Sequence, residues 1–223
     1  MKPGWQRPRR QHVAGDGKVL RVRNVAYSYG RNRVLRDVNF ELTATSVVGV
    51  VGENGAGKST LLRVLTGDLP LRHGVVEWTG SIAYCPQQPV LNPAFTVAQH
   101  LEFFRVAYGL ADLRWAEEIM DVLRFRRFLD HRVGALSGGS RQKLNLTLTL
   151  MCDPGILLLD EPYQGFDWET YLRFWELTAV LRDRGRTVLI VSHLAHDTAH
   201  LTELYRLDSG VLTRDDRVGG RAA

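Results

Sequence analysis

The segment Gly52-Glu53-Asn54-Gly55-Ala56-Gly57-Lys58-Ser59, followed by Thr60, fits the pattern G-x-x-x-x-G-K-[ST] and stands directly after the apolar run Val47-Val48-Gly49-Val50-Val51. An apolar run without polar alternation reads as a central strand of a parallel sheet, covered on both faces. A helix is predicted over 57–65, where the glycines end. Glycines let the backbone curl so that successive N–H groups point into one concavity, which binds phosphate oxygens. The helix N-terminus adds favourable partial charge there. In that setting Lys58 reaches β- and γ-phosphates as a point charge, and Ser59 offers a hydroxyl to Mg²⁺. The feature predicts a strand–loop–helix unit that binds a nucleoside triphosphate and leaves open which kind of P-loop protein this is.

A second apolar run, Ile156-Leu157-Leu158-Leu159, ends in Asp160-Glu161. Ligand sites in parallel sheets form at the carboxyl ends of strands, so this strand is expected to lie beside the phosphate-loop strand. Asp160 is then placed to hold Mg²⁺, and Glu161 to accept a proton from an attacking water or orient it. Two adjacent acids behind four aliphatics are costly in a core without a cation.

A third segment, Leu136-Ser137-Gly138-Gly139-Ser140-Arg141-Gln142-Lys143, is another glycine-rich helix start with Ser137 as an N-cap type. One subunit does not need two anion-binding helix starts for one nucleotide. The economical reading is that this one serves the γ-phosphate held by a second subunit.

These segments sit in an α/β pattern. Strands are predicted near 19–25, 38–42 (after an Arg31-Asn32-Arg33 turn), 47–51, 75–78, 82–84, 156–159 and 188–191. A hairpin or closing strand is predicted around Ser209-Gly210. Helices are predicted from Thr96 to Gly109, around 115–123, from Ser137, and over 168–184, with Val97, Leu101, Phe104 and Tyr108 on one apolar face. The expected fold is a P-loop NTPase core with a parallel sheet, an N-terminal antiparallel β part and an inserted helical subdomain. The domain runs over 19–214, with core 19–95 and 152–214, subdomain 96–151, a basic flexible tail 1–18 and a flexible tail 215–223.

Composition narrows the partners. The net charge of +5 is concentrated in the first 18 residues, where Lys2, Arg7, Arg9, Arg10 and Lys18 face only Asp16. The rest is nearly neutral, so nucleic acid is not an expected partner, and the arm reads as a solvated tail. No apolar run approaches the ~18 residues of a membrane-spanning helix, and no apolar stretch follows the N-terminal charges as in a secretory signal. Cys85 and Cys152 read as reduced thiols. His193, His196 and His200, with Asp197 among them, are not expected to form a metal site.

With these residues in view, the chain resembles the ATP-binding cassette family from about residue 19 to 212. Residues 52–60 are similar to its Walker A motif, 156–162 to Walker B, and 136–140 to the LSGGQ signature. Tyr84-Cys85-Pro86-Gln87 resembles the Q-loop, which implies that Gln87 meets Mg²⁺ and the attacking water. Tyr29 is similar to the aromatic residue that stacks on adenine. Residues 161–167 resemble the D-loop, which crosses the dimer interface and brings Asp167 to the nucleotide. His193 matches the switch histidine that contacts the γ-phosphate. The signature ends in Ser140 where Gln is usual, and the D-loop carries Tyr163-Gln164-Gly165-Phe166 in an unusual version.

The resemblance implies an ATPase using ATP and Mg²⁺. Its catalytic set is Lys58, Gln87, Glu161 and His193, and its metal set is Ser59, Gln87 and Asp160. Nucleotide contacts come from Tyr29, Gly52 to Thr60, Asp167, and Ser137, Gly138 and Gly139 of a second copy. It also implies a homodimer, cytoplasmic and peripheral on the inner face of the cell membrane, that drives a permease on a separate chain. Residues 87–108 would line the permease groove, with Phe95, Phe103 and Phe104 as contacts. The run from Phe95 to Phe104 followed by Tyr108-Gly109-Leu110 is similar to export-system subunits, so a bacterial exporter is expected. The alternative is a non-transport member that uses ATP binding as a clamp with little turnover. A ribosome-acting member would usually carry two cassettes, and a DNA-repair member a long coiled coil between Lys58 and Asp160.

Overall fold

The computed structural model describes residues 16–193 and 198–216. Its first sheet is antiparallel, built from β1 (Lys18–Tyr29), β2 (Asn32–Thr43) and β4 (His73–Trp78) in the order β2-β1-β4. The second has six strands in the order β5-β6-β7-β3-β8-β9. These are β3 (Val47–Val51), β5 (Ile82–Cys85), β6 (Ile156–Asp160), β7 (Thr187–Ser192), β8 (Glu203–Asp208) and β9 (Val211–Arg214). The first five in that order are parallel, and β9 closes the edge antiparallel to β8 across Ser209-Gly210. The fold class is the one expected from the sequence.

Two strand expectations are corrected. The N-terminal hairpin is longer than predicted, because Tyr29 pairs with Asn32 and the turn falls at Gly30-Arg31 rather than at 31–33. Irregular register around Asn24 and Asp37, both with positive φ, breaks the alternation by which a strand is read. The second correction concerns neighbours. β6 does not lie beside β3; β7 stands between them, with Asp160 paired to Val191 and Val51 to Ser192. All three strands end at the same level, so the acidic end still faces the phosphate loop across one intervening strand.

Every residue of β3, β6 and β7 is buried, and the period of two sorts their side chains onto opposite faces. Val48, Val50, Ile156, Leu158, Leu189 and Val191 pack with α1 (Lys58–Thr66) and the antiparallel sheet. Leu157, Leu159, Val188 and Ile190 pack on the other side. There they meet α5 (Trp168–Asp183) through Phe174, Trp175, Leu177 and Leu181, and the helices α2 (Val97–Tyr108), α3 (Arg114–Val122) and α4 (Gly138–Leu150).

Local signals set the helix ends. Thr96 and Gln99 form a capping box at α2, with N–H to side-chain oxygen distances of 3.1 and 2.8 Å. Gly109 ends that helix in the left-handed region. The apolar face predicted for α2 forms through Val97, Leu101 and Phe104, and is corrected at Tyr108 and by the addition of His100. Val97, Leu101 and His100 are buried, Phe104 packs against the same cluster, and Tyr108 is 45% exposed. His100 can replace an apolar residue because both ring nitrogens are satisfied. Nε2 accepts from the Asn92 N–H at 3.1 Å, and Nδ1 donates to the Thr96 carbonyl at 3.0 Å.

The chain after β3 passes tightly over β8. A Cβ on Gly52 would stand 2.2 Å from the Leu207 carbonyl oxygen, a backbone atom that cannot swing aside. Gly52→Ala is therefore expected to destabilise the fold by about 2 kcal/mol or more through overpacking. Urea unfolding of the nucleotide-free protein measures this, and an unchanged midpoint would contradict the close approach.

Candidate active site

The ends of β3 and β6 open onto a cavity of about 540 Å³. Asn54, Gly55, Gly57, Lys58, Ser59 and Thr60 line one side of it, Asp160, Glu161 and Gln87 another, and Tyr29 with Val34 a third. Gly57 takes φ 105° and leaves the start of α1 without a side-chain cap. The first N–H groups of that helix are therefore free of side-chain competition at the cavity wall. Lys58 is buried beneath the loop, where Nζ donates to the carbonyls of Gly52 at 2.7 Å and Glu53 at 2.9 Å. Tyr29 is half-exposed and meets Tyr27 edge-on at 5.0 Å between ring centres.

Asp160 is 2% exposed. Burial pushes its carboxyl above the usual carboxylate range, while the Ser59 and Tyr84 hydroxyls and the Lys58 ammonium pull the other way and the Glu161 charge adds to the rise. Tyr84 donates its hydroxyl to Oδ2 at 3.2 Å. Burial first, and then the Asp160 charge, push that phenol well above its ordinary range, so it stays a donor. Oδ1 is buried and has no hydrogen-bond partner among the described residues. A buried carboxylate oxygen left in this state, with the Ser59 hydroxyl beside the group, suits a hard divalent cation with oxygen ligands.

Glu161 is 5% exposed and takes φ 48°, the left-handed region that a side chain with a Cβ rarely adopts. Its N–H donates to the Val191 carbonyl at 2.9 Å, and its own carbonyl accepts from the Gln164 N–H at 3.1 Å. These bonds hold the turn and aim the side chain at His193, whose Nδ1 lies 2.9 Å from Oε2. Gln87 Nε2 donates to Gln164 Oε1 at 3.1 Å.

Ser137, Gly138 and Gly139 do not face this cavity. Gly138 and Gly139 line a separate cavity of about 450 Å³, with Gln87, Gln164 and Gly165 on its other walls. Ser137 caps α4 by accepting the Ser140 N–H at 3.2 Å, and its hydroxyl donates to Ser140 Oγ at 3.1 Å. Gly139 rides directly on the loop after β6, where a Cβ would lie 2.2 Å from the Gly165 carbonyl oxygen. Asp167 also lies outside the first cavity. It caps α5 by accepting the Thr170 N–H at 2.8 Å, and this bond holds its carboxyl below the usual range. His196 and Asp197 fall outside the described residues, and His200 stacks on Trp175 at 4.9 Å.

Three contributors carry no role in the sequence reading. Val34 is an unremarkable strand residue, and only tertiary structure brings it to the cavity wall. Tyr84 stands in the same quartet as Gln87, and its pairing with Leu158 places it one strand from Asp160. Gln164 is visible as a departure in the 161–167 segment, but its partner is far away in sequence.

Comparison with known proteins agrees with this geometry. The family profile described as ABC transporter matches residues 35–164. The chain is 31% identical over 208 residues to "Nod factor export ATP-binding protein I" of Cupriavidus metallidurans, covering 86% of this chain and 69% of that protein. The namesake from Ralstonia nicotianae is also 31% identical, and the match covers 66% of its length. A "Probable metal transport system ATP-binding protein" of Thermotoga maritima is 36% identical over 182 residues, covering 79% of this chain and 75% of that one. Among solved structures, "Structure of ATP binding subunit of ABC transporter" superposes with a TM-score of 0.82 at 26% identity, covering 88% of this chain and 89% of that chain. A phosphate loop and an acidic strand end sharing one cavity, together with these matches over most of the chain, show that it belongs to the ABC transporter family, as an ATP-binding subunit.

Proposed function

We propose that the chain hydrolyses ATP with Mg²⁺ in a homodimer and drives a separate membrane permease, as part of an exporter. The observation that carries this reading is Glu161, held by His193 in the cavity that Lys58 and Asp160 share. In this reading residues 52–60 wrap the phosphates, Lys58 supplies positive charge inside the loop, and Tyr29 stacks on the adenine. Ser59, Asp160 and Gln87 hold Mg²⁺, which when bound neutralises phosphate charge. Glu161 takes the proton of the attacking water. His193 keeps Oε2 engaged, so the other carboxylate oxygen is the acceptor. Ser137, Gly138 and Gly139 face the nucleotide of the second copy, and Asp167 orders the loop that lies against it.

The permease reading rests on surface chemistry. Phe95, Phe103 and Val106 are 39%, 59% and 65% exposed, on or just before α2, with Val90 fully outward on the approach to it. Phe104 turns inward against Phe103 and Tyr108. An aromatic face of this kind suits a short apolar helix of a partner. Residues 96–151 are the unit we propose to carry it, joined to the core 19–95 and 152–214. Among the described residues no helix is long and apolar enough to cross a membrane. In this reading the permease is another chain, and this one lies peripherally on the cytoplasmic face. The Nod factor relatives, named for export, support the direction.

Two outcomes test the site. Glu161→Gln should lower kcat for ATP about a hundredfold or more and accumulate an ATP-bound dimer in size-exclusion chromatography. A monomeric variant with normal turnover would contradict the two-copy site, and tight ATP binding by a wild type that never turns over would favour the clamp reading. Asp160→Asn tests the buried charge. Because the native pKa is raised, ionisation costs stability as pH rises through the window from the unfolded carboxyl value up to the native one, and the full cost remains above it. Without divalent cation, Asp160→Asn should therefore melt higher than wild type at neutral pH, with the gap closing in acid. An equal or lower melting temperature at neutral pH would contradict it.

A further inference from the structure

Helix α4 carries a buried polar seam that plays no part in the reading above. Gln142, Asn145 and Thr149 stand at i, i+3 and i+7, one face of the helix, and are 4%, 7% and 8% exposed. That face meets the end of β5. Asn145 Nδ2 donates to the Pro86 carbonyl at 2.8 Å, with Cys85 Sγ at 3.2 Å and Gln142 Oε1 at 3.5 Å. Burial pushes the Cys85 thiol up to about 12, so it stays neutral beside the amide. Apolar side chains would bury at lower cost in such a position. Directional bonds, unlike apolar contact, fix where the helix sits along the strand end.

The atom so fixed is significant. Pro86 directly precedes Gln87, and its carbonyl is the last backbone acceptor before that side chain. Gln87 is held a second time by Gln164, in the loop whose Gly165 packs under Gly139 at the start of α4. Both restraints on Gln87 therefore lead back to the same helix.

We propose that Asn145 is a positioning residue for Gln87. It locks α4 to the end of β5, so Gln87 keeps its place at the cavity it shares with Asp160 only while α4 is seated. The proposal rests on the ATPase reading. Movement of α4, whose N-terminus is assigned to the second copy's nucleotide, then reaches the first copy's Gln87 through one amide.

The test is a double-mutant cycle on the full chain with Gln87→Ala and the near-isosteric Asn145→Leu. In the wild-type background Asn145→Leu should lower kcat about five- to tenfold, the worth of a lost buried hydrogen bond, and leave the Kd for ATP within about twofold. In the Gln87→Ala background the same step should cost less than about twofold, because the group being positioned is gone. Equal losses in both backgrounds would overturn the proposal, since a general packing defect acts equally in both. If Asn145→Leu does not fold, Asn145→Ala, which opens space instead of filling it, enters the same cycle. Amide hydrogen exchange at Gln87 and Gln88 gives a readout independent of activity. Exchange about tenfold faster in the Asn145 variant is expected, and unchanged exchange would overturn the proposal. Wild-type protein without turnover would overturn the ATPase reading alone, and the exchange at Gln87 and Gln88 would then decide this inference.

Discussion

A buried carboxylate organises this molecule. Asp160 ends a strand on which every residue is covered, and one of its oxygens has no hydrogen-bond partner among the described residues. A charge in that position is expensive, because burial leaves little exposed surface through which solvent could lower the cost. The surroundings relieve it only in part. Tyr84 donates one hydrogen bond, while the Ser59 hydroxyl and the Lys58 ammonium lie nearby without removing the penalty. A divalent cation bound there would offset the remaining cost, and this is the physical support for the proposed Mg²⁺ site. The neighbouring Glu161 takes a left-handed backbone in the turn that brings its carboxylate to His193.

Among the described residues, three helix starts are capped by a side chain of their own. Thr96, Ser137 and Asp167 each accept one of the first N–H groups of α2, α4 and α5, while α3 begins from Leu113 without such a cap. α1 also begins without a side-chain cap, from Gly57, but at the wall of the cavity that Asp160 and Glu161 line. α4 spends its serine on its own cap, with Ser140 as a further contact. Ser140 thus sits directly on the hydroxyl that we propose faces the second copy's nucleotide, which gives the unusual end of the signature a structural contact. The close approach of Gly139 to Gly165 joins that helix start to the loop following Glu161.

The sequence made the site's local parts legible and left its non-local ones hidden. The phosphate loop, the acidic strand end and the capped helix at Ser137 are each written in consecutive residues, and each forms where it was expected. Strand order is a different matter. That β7 separates β3 from β6 depends on how two crossovers pack, and no local pattern records it. The burial of His100 escaped a reading by apolar period, because its hydrogen-bond partners lie at Asn92 and Thr96 rather than in a hydrophobic pattern. Tyr84, Gln164 and Asn145 were present in plain view, but their significance comes from partners about sixty residues or more distant in the chain.

The central claim is that Asp160 and the phosphate loop together make a cation–nucleotide site. The most direct measurement replaces Mg²⁺ with Mn²⁺ and records its paramagnetic resonance in the presence of a non-hydrolysable ATP analogue. The account predicts one tightly held Mn²⁺ per chain with phosphorus hyperfine coupling, lost when Asp160 is changed to Asn. A Mn²⁺ signal that persists unchanged in the Asp160 variant, or one without phosphorus coupling in the wild type, would contradict it.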